Sequence, residues 1–404
     1  MQKTTQILLL LFLCVFSFFL VWKSGYRYQN EVENVENPEN GENLNSFENG
    51  EVGKINKVED ICPLKNFVFV KTHKTGSSTM SNILLRYAEN NKLNQLMGRY
   101  PTGTEYGDLS RHSYPPPPPQ QHYNAFLMHA DYNRQFLMSK LPPSTIFFTF
   151  TRDPVSRYIS AFHFFKLDRY YDGSDFDNAV NLHMADNARY LISTDQCRHC
   201  GRTVNSVARD LGFDFKGYVK TVDKDKFLGD FLAKLRREID LVLISEYYDL
   251  SLVLFARRYC LTFDDISYLK SLESTTRPYV SQSTREKLRQ FQYVDAVIYD
   301  FYNATFWELV NKEEGLLEEA EKFKEHNKMV HSKCVAGKQI GTYDTYQFIL
   351  TEFGRTDFQC RAMCSRVLPF AHLIEKRNQG LRNDGPHQKD YLTLQDLYNI
   401  RYGQ

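Results

Sequence analysis

With 42% hydrophobic and 14% aromatic side chains, the 404-residue chain carries ample apolar material for a sizeable core, and its length suits one elaborated α/β domain as well as two or three average ones. Lysine and arginine nearly balance aspartate and glutamate, so the formal charge of +1 excludes a global basic footprint for nucleic acid and any anion site must be local. Eight cysteines at this length imply a few disulfides rather than a disulfide scaffold.

The amino terminus reads as Lys3, an apolar run from Ile7 to Trp22, then Lys23 and Arg27. Residues 1–6 are read as a tail and 7–22 as a signal-anchor span, a little short of the ~20 residues that cross an average bilayer. A cleaved signal peptide competes with this reading, but Leu20, Val21, Trp22 and Lys23 offer no small-x-small cleavage site. Residues 23–60 turn to Glu, Asn and Gly, which cannot offset the entropy of ordering, and are read as a disordered stem. A globular body runs from 61 to 404, with 335–404 legible only through Cys334, Cys360 and Cys364 as candidate staples.

The most informative stretch is Asn66 to Ala88. Phe67-Val68-Phe69-Val70 suits a buried strand. Met80, Ile83, Leu84 and Tyr87 recur as one face of a helix. Between them lies a hydroxyl-rich loop bending at Gly76, with Lys71 and Lys74. A strand turning into a helix presents N–H groups and the positive end of the helix dipole, so Lys74, Ser77, Ser78 and Thr79 make a phosphate cradle. The order is not Walker's, since Lys74 precedes Gly76 and no earlier glycine occurs in the loop. A Lys-x-Gly-Ser-Ser/Thr order resembles the 5′-phosphosulfate loop of sulfotransferases. A hydroxyl-rich N-cap on an ordinary surface helix is the plainer alternative.

Asn90 to Gln121 is a long loop containing five consecutive prolines, Pro115 to Pro119. Ala125 to Met128 reads as a second short strand, followed by His129 and Asp131. Ile146 to Phe150 is a third, after which Asp153 and Pro154 supply an N-cap and a first helical residue. Arg152 thus stands at the carboxyl end of a strand, where open α/β sheets bind ligands, and Ser160 lies in the second turn of the helix behind it. A surface ion pair is the alternative for Arg152. Leu241 to Ile244 is a further strand with a helix from Ser251 to Tyr259, and Glu313 to Lys328 a charged helix.

KTHKTGSST, TRDPVSRYISAFHFF, DLVLISEYYDLSLVL and NATFW together resemble the galactose 3-O-sulfotransferase family of Golgi sulfotransferases, over roughly Cys62 to Leu368. The resemblance implies a P-loop-like three-layer α/β sandwich with a central, mostly parallel sheet. It implies 3′-phosphoadenosine-5′-phosphosulfate as co-substrate, with no prosthetic group and no metal. Lys71, Lys74, Thr75, Gly76, Ser77, Ser78 and Thr79 would hold the 5′-phosphosulfate, and Arg152 and Ser160 the 3′-phosphate. The acceptor would be a galactose-terminated glycolipid or glycan, and the enzyme a single-pass type II protein of the Golgi membrane with a luminal body. A homo-oligomer is left open.

For the chemistry, Lys74 is placed to stabilise the leaving phosphate. His129, at the end of a strand beside the cradle, is read as the base, with His73 as runner-up. Relatives carry Arg two residues after that histidine, where this chain has Asp131. Glu246 either orients acceptor hydroxyls or joins an ion pair. Asn303 heads the single N-x-[ST] sequon, read as a glycosylated surface position. Asp175/Asp177 and Asp223/Asp225 fit the D-x-D pattern of metal-dependent glycosyltransferases and are read as solvated loop charges. Cys197 and Cys200 lack a second Cys/His pair for zinc. A metal-dependent Golgi glycosyltransferase and a non-catalytic carbohydrate-binding relative are the competing functions.

Overall fold

A computed structural model describes residues 62–98, 107–171, 173–186, 202–270, 273–276, 278–341 and 346–382. The proposed span (7–22), the stem (23–60), Cys197 and Cys200 lie outside them. Among the described residues no helix is long and apolar enough to cross a membrane.

The centre is a four-stranded sheet of β1 (Phe67–Val70), β2 (Ala125–Phe126), β3 (Ile146–Thr151) and β4 (Leu241–Ile244). Their order is β2-β1-β3-β4, and all three pairings are parallel. Every residue of the four strands is buried, as the near-continuous apolar runs require of a parallel sheet covered on both faces. Register puts Phe67 opposite Ile146 and Phe69 opposite Phe148, so alternate aromatics line one face. There Tyr87 of α1 (Ser77–Asn90) meets Phe67, with ring centroids 6.4 Å apart. Phe255, on a later helix, packs on Phe148 at 4.6 Å. On the opposite face Phe147 meets Tyr132, and the Arg134 guanidinium lies 4.2 Å from its ring. This is the α/β sandwich with a central parallel sheet that the family resemblance implies.

Parallel pairing brings all four carboxyl ends to one edge, and the order places the topological switch between β1 and β3. Helix α2 (Pro154–Phe164) begins there, its N-cap Asp153 accepting from Ser156 N at 2.7 Å with Pro154 at the first position.

Some boundaries move. β2 ends at Phe126, because Leu127 and Met128 leave the ladder although they stay buried. The short helix α3 (Ser206–Asp210) precedes β4, and the helix behind β4, α4, spans Tyr248–Tyr259. Further on come α5 (Gln282–Phe291) and α6 (Tyr293–Lys312), and the charged helix α7 runs from Leu316 to Cys334.

One sequence reading is corrected in part. Asp175 and Asp223 are exposed, as read, and serve as helix N-caps, accepting from Asn178 N and Lys226 N; Asp225 is exposed but helical, and Asp177 is half-buried in the helix Phe176–Ala185, where it accepts from Ser281. Asn303 sits inside α6 and is partly exposed.

The carboxyl-terminal stretch joins the body. An antiparallel hairpin, β5 (Val335–Ile340) and β6 (Tyr346–Leu350), is followed by α8 (Phe358–Cys364) and α9 (Val367–Arg382). Asn82 of α1 donates to Ala362 O and Ser365 O at 2.8 and 3.0 Å, and Arg377 pairs with Glu89 at 2.6 Å. Cys334 and Cys360 form a disulfide, while Cys62–Cys260 ties the chain ahead of β1 to the end of α4. The latter closes a sequence separation of 198 residues, so replacing Cys62 and Cys260 with Ala should cost about 2–5 kcal/mol. Urea unfolding followed by fluorescence measures it; an unchanged midpoint and slope would contradict the assignment.

Candidate active site

The cradle loop is held by its own hydroxyls. Thr72 Oγ1 donates to Phe150 O at 2.6 Å, tying the loop to β3. Thr75 Oγ1 and Ser77 Oγ lie 3.2 and 2.7 Å from Thr72 O, and Lys71 Nζ donates to Ser81 Oγ at 3.0 Å. Lys71, Thr75 and Ser77 are therefore buried with side chains committed inside the loop; they shape the cradle rather than line it. Ser245, which sequence reading passed over, donates to Thr75 O and Thr151 O at 2.7 and 2.9 Å and fastens the end of β4 to the loop.

That bracing holds a tight backbone. Lys74 and Gly76 take φ of 62° and 77°, the left-handed region, which costs a side-chain-bearing residue roughly 1–2 kcal/mol. At Gly76 a Cβ would also stand 2.9 Å from Tyr248 Cε2. Gly76 caps α1 without a side-chain acceptor, and with Thr79 N–H turned back to Gly76 O at 3.0 Å the N–H groups of Ser77 and Ser78 stand at the bend, where an anion is favoured.

Lys74, Gly76, Thr79, Arg152, Ser160 and Glu246 line one cleft of about 790 Å³. Phe164, read in sequence only as part of an aromatic run, lies in the same wall with the Lys74 amine 3.6 Å from its ring centroid. Arg152 Nη1 donates to Lys74 O at 3.0 Å, so the two cations from β1 and β3 meet at the switch point. Burial, and then the neighbouring Arg152 charge, lower the Lys74 pKa to about 7. On the Arg152 side, Glu246 stands 3.9 Å from Nε and accepts from Asp153 N at 3.1 Å, and burial raises its own pKa. Its ties to Arg152 and Asp153 match the ion-pair reading. The far wall, including Tyr268, Thr276 and Arg285, comes from a stretch to which sequence reading assigned nothing.

The two histidines are neighbours of the cradle but are not on that cleft's wall. His129 Nδ1 lies 3.0 Å from Lys71 O, and its ring stacks on His73 with centroids 4.1 Å apart and planes at 20°. Burial, followed by repulsion from His73 whenever that ring is protonated and from Lys71, holds the His129 pKa well below the usual imidazole value. Ser78, beside the cleft residues on α1, is half-buried.

A family model described as galactose-3-O-sulfotransferase matches residues 1–346. The chain belongs to the galactose-3-O-sulfotransferase family. This sulfotransferase is 27% identical over 284 residues to mouse (Mus musculus) galactose-3-O-sulfotransferase 2, covering 68% of this chain and 70% of the relative. The human (Homo sapiens) protein of that name is 29% identical over 286 residues, covering 68% and 69%. Human galactosylceramide sulfotransferase is 27% identical over 305 residues, covering 68% of this chain and 65% of its own length.

An amine with a pKa near 7 couples anion binding to protons in this sulfotransferase. A bound anion favours charged Lys74, so above pH 7 binding must take up a proton and affinity must fall, by at most tenfold per pH unit. Below about pH 6 a phosphate ligand loses its own charge, so affinity for adenosine 3′,5′-bisphosphate should peak between the two. Calorimetry at pH 8 in buffers of differing ionisation enthalpy measures the uptake; binding without it would contradict the placement of Lys74. Gly76→Ala should weaken the same ligand at least tenfold, because the left-handed cap and Tyr248 both oppose the new methyl.

Proposed function

We propose that the protein transfers the sulfuryl group of 3′-phosphoadenosine-5′-phosphosulfate to the 3-hydroxyl of a terminal galactose on a glycolipid or glycan. The observation that carries this reading is the meeting of Lys74 and Arg152 across the β1/β3 switch point. A nucleotide with phosphates on both sides of its ribose suits two cationic strand ends that open onto one cleft. Lys74 and the first-turn N–H groups of α1 hold the 5′ side, and Arg152 with Ser160 the 3′ side. The relatives' names supply the galactose and the sulfuryl group.

The residues divide the transfer between them. As the acceptor oxygen bonds to sulfur, the bond from sulfur to the 5′-phosphate oxygen breaks and its electron pair stays on that oxygen. Lys74, desolvated against Phe164, faces the developing charge, where an electrostatic contact is worth most. His129 takes the acceptor's proton. Its depressed pKa keeps it unprotonated near neutrality, and donation from Nδ1 to the Lys71 carbonyl leaves the lone pair on Nε2. The competing glycosyltransferase reading loses support, since three of the four D-x-D carboxylates serve backbone or hydroxyl donors of their own fold.

The apolar run Ile7–Trp22 supports a membrane anchor, and a Golgi location with the body in the lumen is what the family resemblance implies. Full-length protein in detergent, given labelled sulfate donor, a terminal β-galactoside and a chelator, should transfer label. Lys74→Ala, Arg152→Ala and His129→Ala should each slow transfer at least a hundredfold. Wild-type rates in the Lys74 and Arg152 variants would refute the site.

A further inference from the structure

Asp210 closes α3, and neither motif reading nor family resemblance gave it a role. Its Oδ2 accepts the backbone N–H of His73 at 2.7 Å, and both carboxylate oxygens lie 2.9 Å from His73 Nδ1. An ionised carboxylate only accepts, so this arrangement requires the hydrogen on Nδ1 and leaves Nε2 as the basic nitrogen of His73. His129 is fixed the same way, since the Lys71 carbonyl also only accepts. Two imidazoles in one tautomer thus lie face to face with a single carboxylate behind them.

Asp210 is not a loose surface acid. Helix α3 hangs from Asp295 of α6, which accepts from Val207 N and Ala208 N at 3.2 and 2.8 Å. Asp295 pairs in turn with the fully buried Arg157 at 3.4 Å. Arg157 belongs to α2, the helix that carries Ser160 to the cleft. One rigid chain of contacts therefore fixes the carboxylate relative to the helix that begins at the switch point.

Resting on the proposed sulfuryl transfer, we propose that Asp210 is a positioning residue for that step: it locks His73 as the Nδ1–H tautomer against His129 and balances the positive charge the stacked pair acquires. When the acceptor O–H bond breaks, its proton goes to His129 Nε2 and the pair gains one unit of charge. A carboxylate behind an imidazole fixes its orientation and favours the imidazolium, without itself being protonated. The other charged groups facing His129 are Lys71 from the cradle loop and Arg202 ahead of α3. Those acting on Asp210 are Asp131 after β2, Arg157 of α2 and Asp295 of α6.

Asp210→Asn keeps the shape and removes the charge. In the full chain it should lower kcat at least a hundredfold, with acceptor KM and affinity for adenosine 3′,5′-bisphosphate within threefold of wild type. The acid limb of the pH–kcat profile should move to lower pH, because the imidazolium loses its counter-charge, and Asp210→Glu should recover at least tenfold of the lost rate. A kcat within threefold of wild type with an unmoved limb would overturn the proposal, as would nucleotide affinity falling in parallel with kcat. A measurement without an acid variant guards against misfolding: ring ¹⁵N shifts of histidine-labelled wild type should show His73 protonated on Nδ1 and bare on Nε2, with the signals assigned by their loss in His73→Gln. The opposite tautomer overturns the proposal too. Failure of wild type to sulfate any galactoside strikes the functional reading instead and leaves the tautomer result to decide the position of Asp210.

Discussion

Two like charges held together, with Glu246 3.9 Å from Arg152 as a weak counter-ion, are the feature on which the rest of this structure depends. Arg152 reaches across from β3 to the backbone of Lys74, whose amine lies desolvated against Phe164. In the free protein this costs stability, and it is why the amine's pKa sits near 7. A doubly phosphorylated ligand reverses the sign of that cost, since each phosphate meets a cation already in place. The site is thus paid for in folding and repaid on binding.

Holding such a pair requires a stiff frame, and much of the molecule can be understood as supplying one. The parallel sheet fixes both strand ends, and Ser245 brings the end of β4 into the cradle. Tyr248 fills the space beside Gly76 and donates to its carbonyl at 3.2 Å. Behind α1, the carboxyl-terminal helices satisfy Asn82 and pair with Glu89, so a stretch mostly beyond the family match backs the very helix whose amino end faces the anion.

Elements that depend on local pattern were legible from sequence, and those that depend on distant partners were not. The FVFV and IFFTF runs, the Asp153-Pro154 start and the Lys74-x-Gly76 bend carry their own signals, so the strands, α2 and both cationic ends could be located before any coordinates. Thr75 and Ser77 looked like phosphate ligands because a hydroxyl in a loop does not reveal which way it points; here both turn inward to Thr72. Asp177 looked like a solvated loop charge because its partners, Ser281 and Thr284, lie more than 100 residues away. Ser245 and Asp210 had no signal, since their partners lie 170 and 137 residues away. The final helices carry no such signal, since their partners Asn82 and Glu89 on α1 lie 280 and 288 residues away.

Charge, proton and leaving group thus have separate places along one sheet edge: cations at β1 and β3, imidazoles after β1 and β2, and a carboxylate behind the imidazoles. The most direct measurement of the central claim is a crystal structure with adenosine 3′,5′-bisphosphate. The account predicts the 5′-phosphate within hydrogen-bonding reach of Lys74 Nζ and the first-turn N–H groups of α1, and the 3′-phosphate on Arg152 and Ser160. A nucleotide bound with both phosphates away from Lys74 and Arg152 would contradict it.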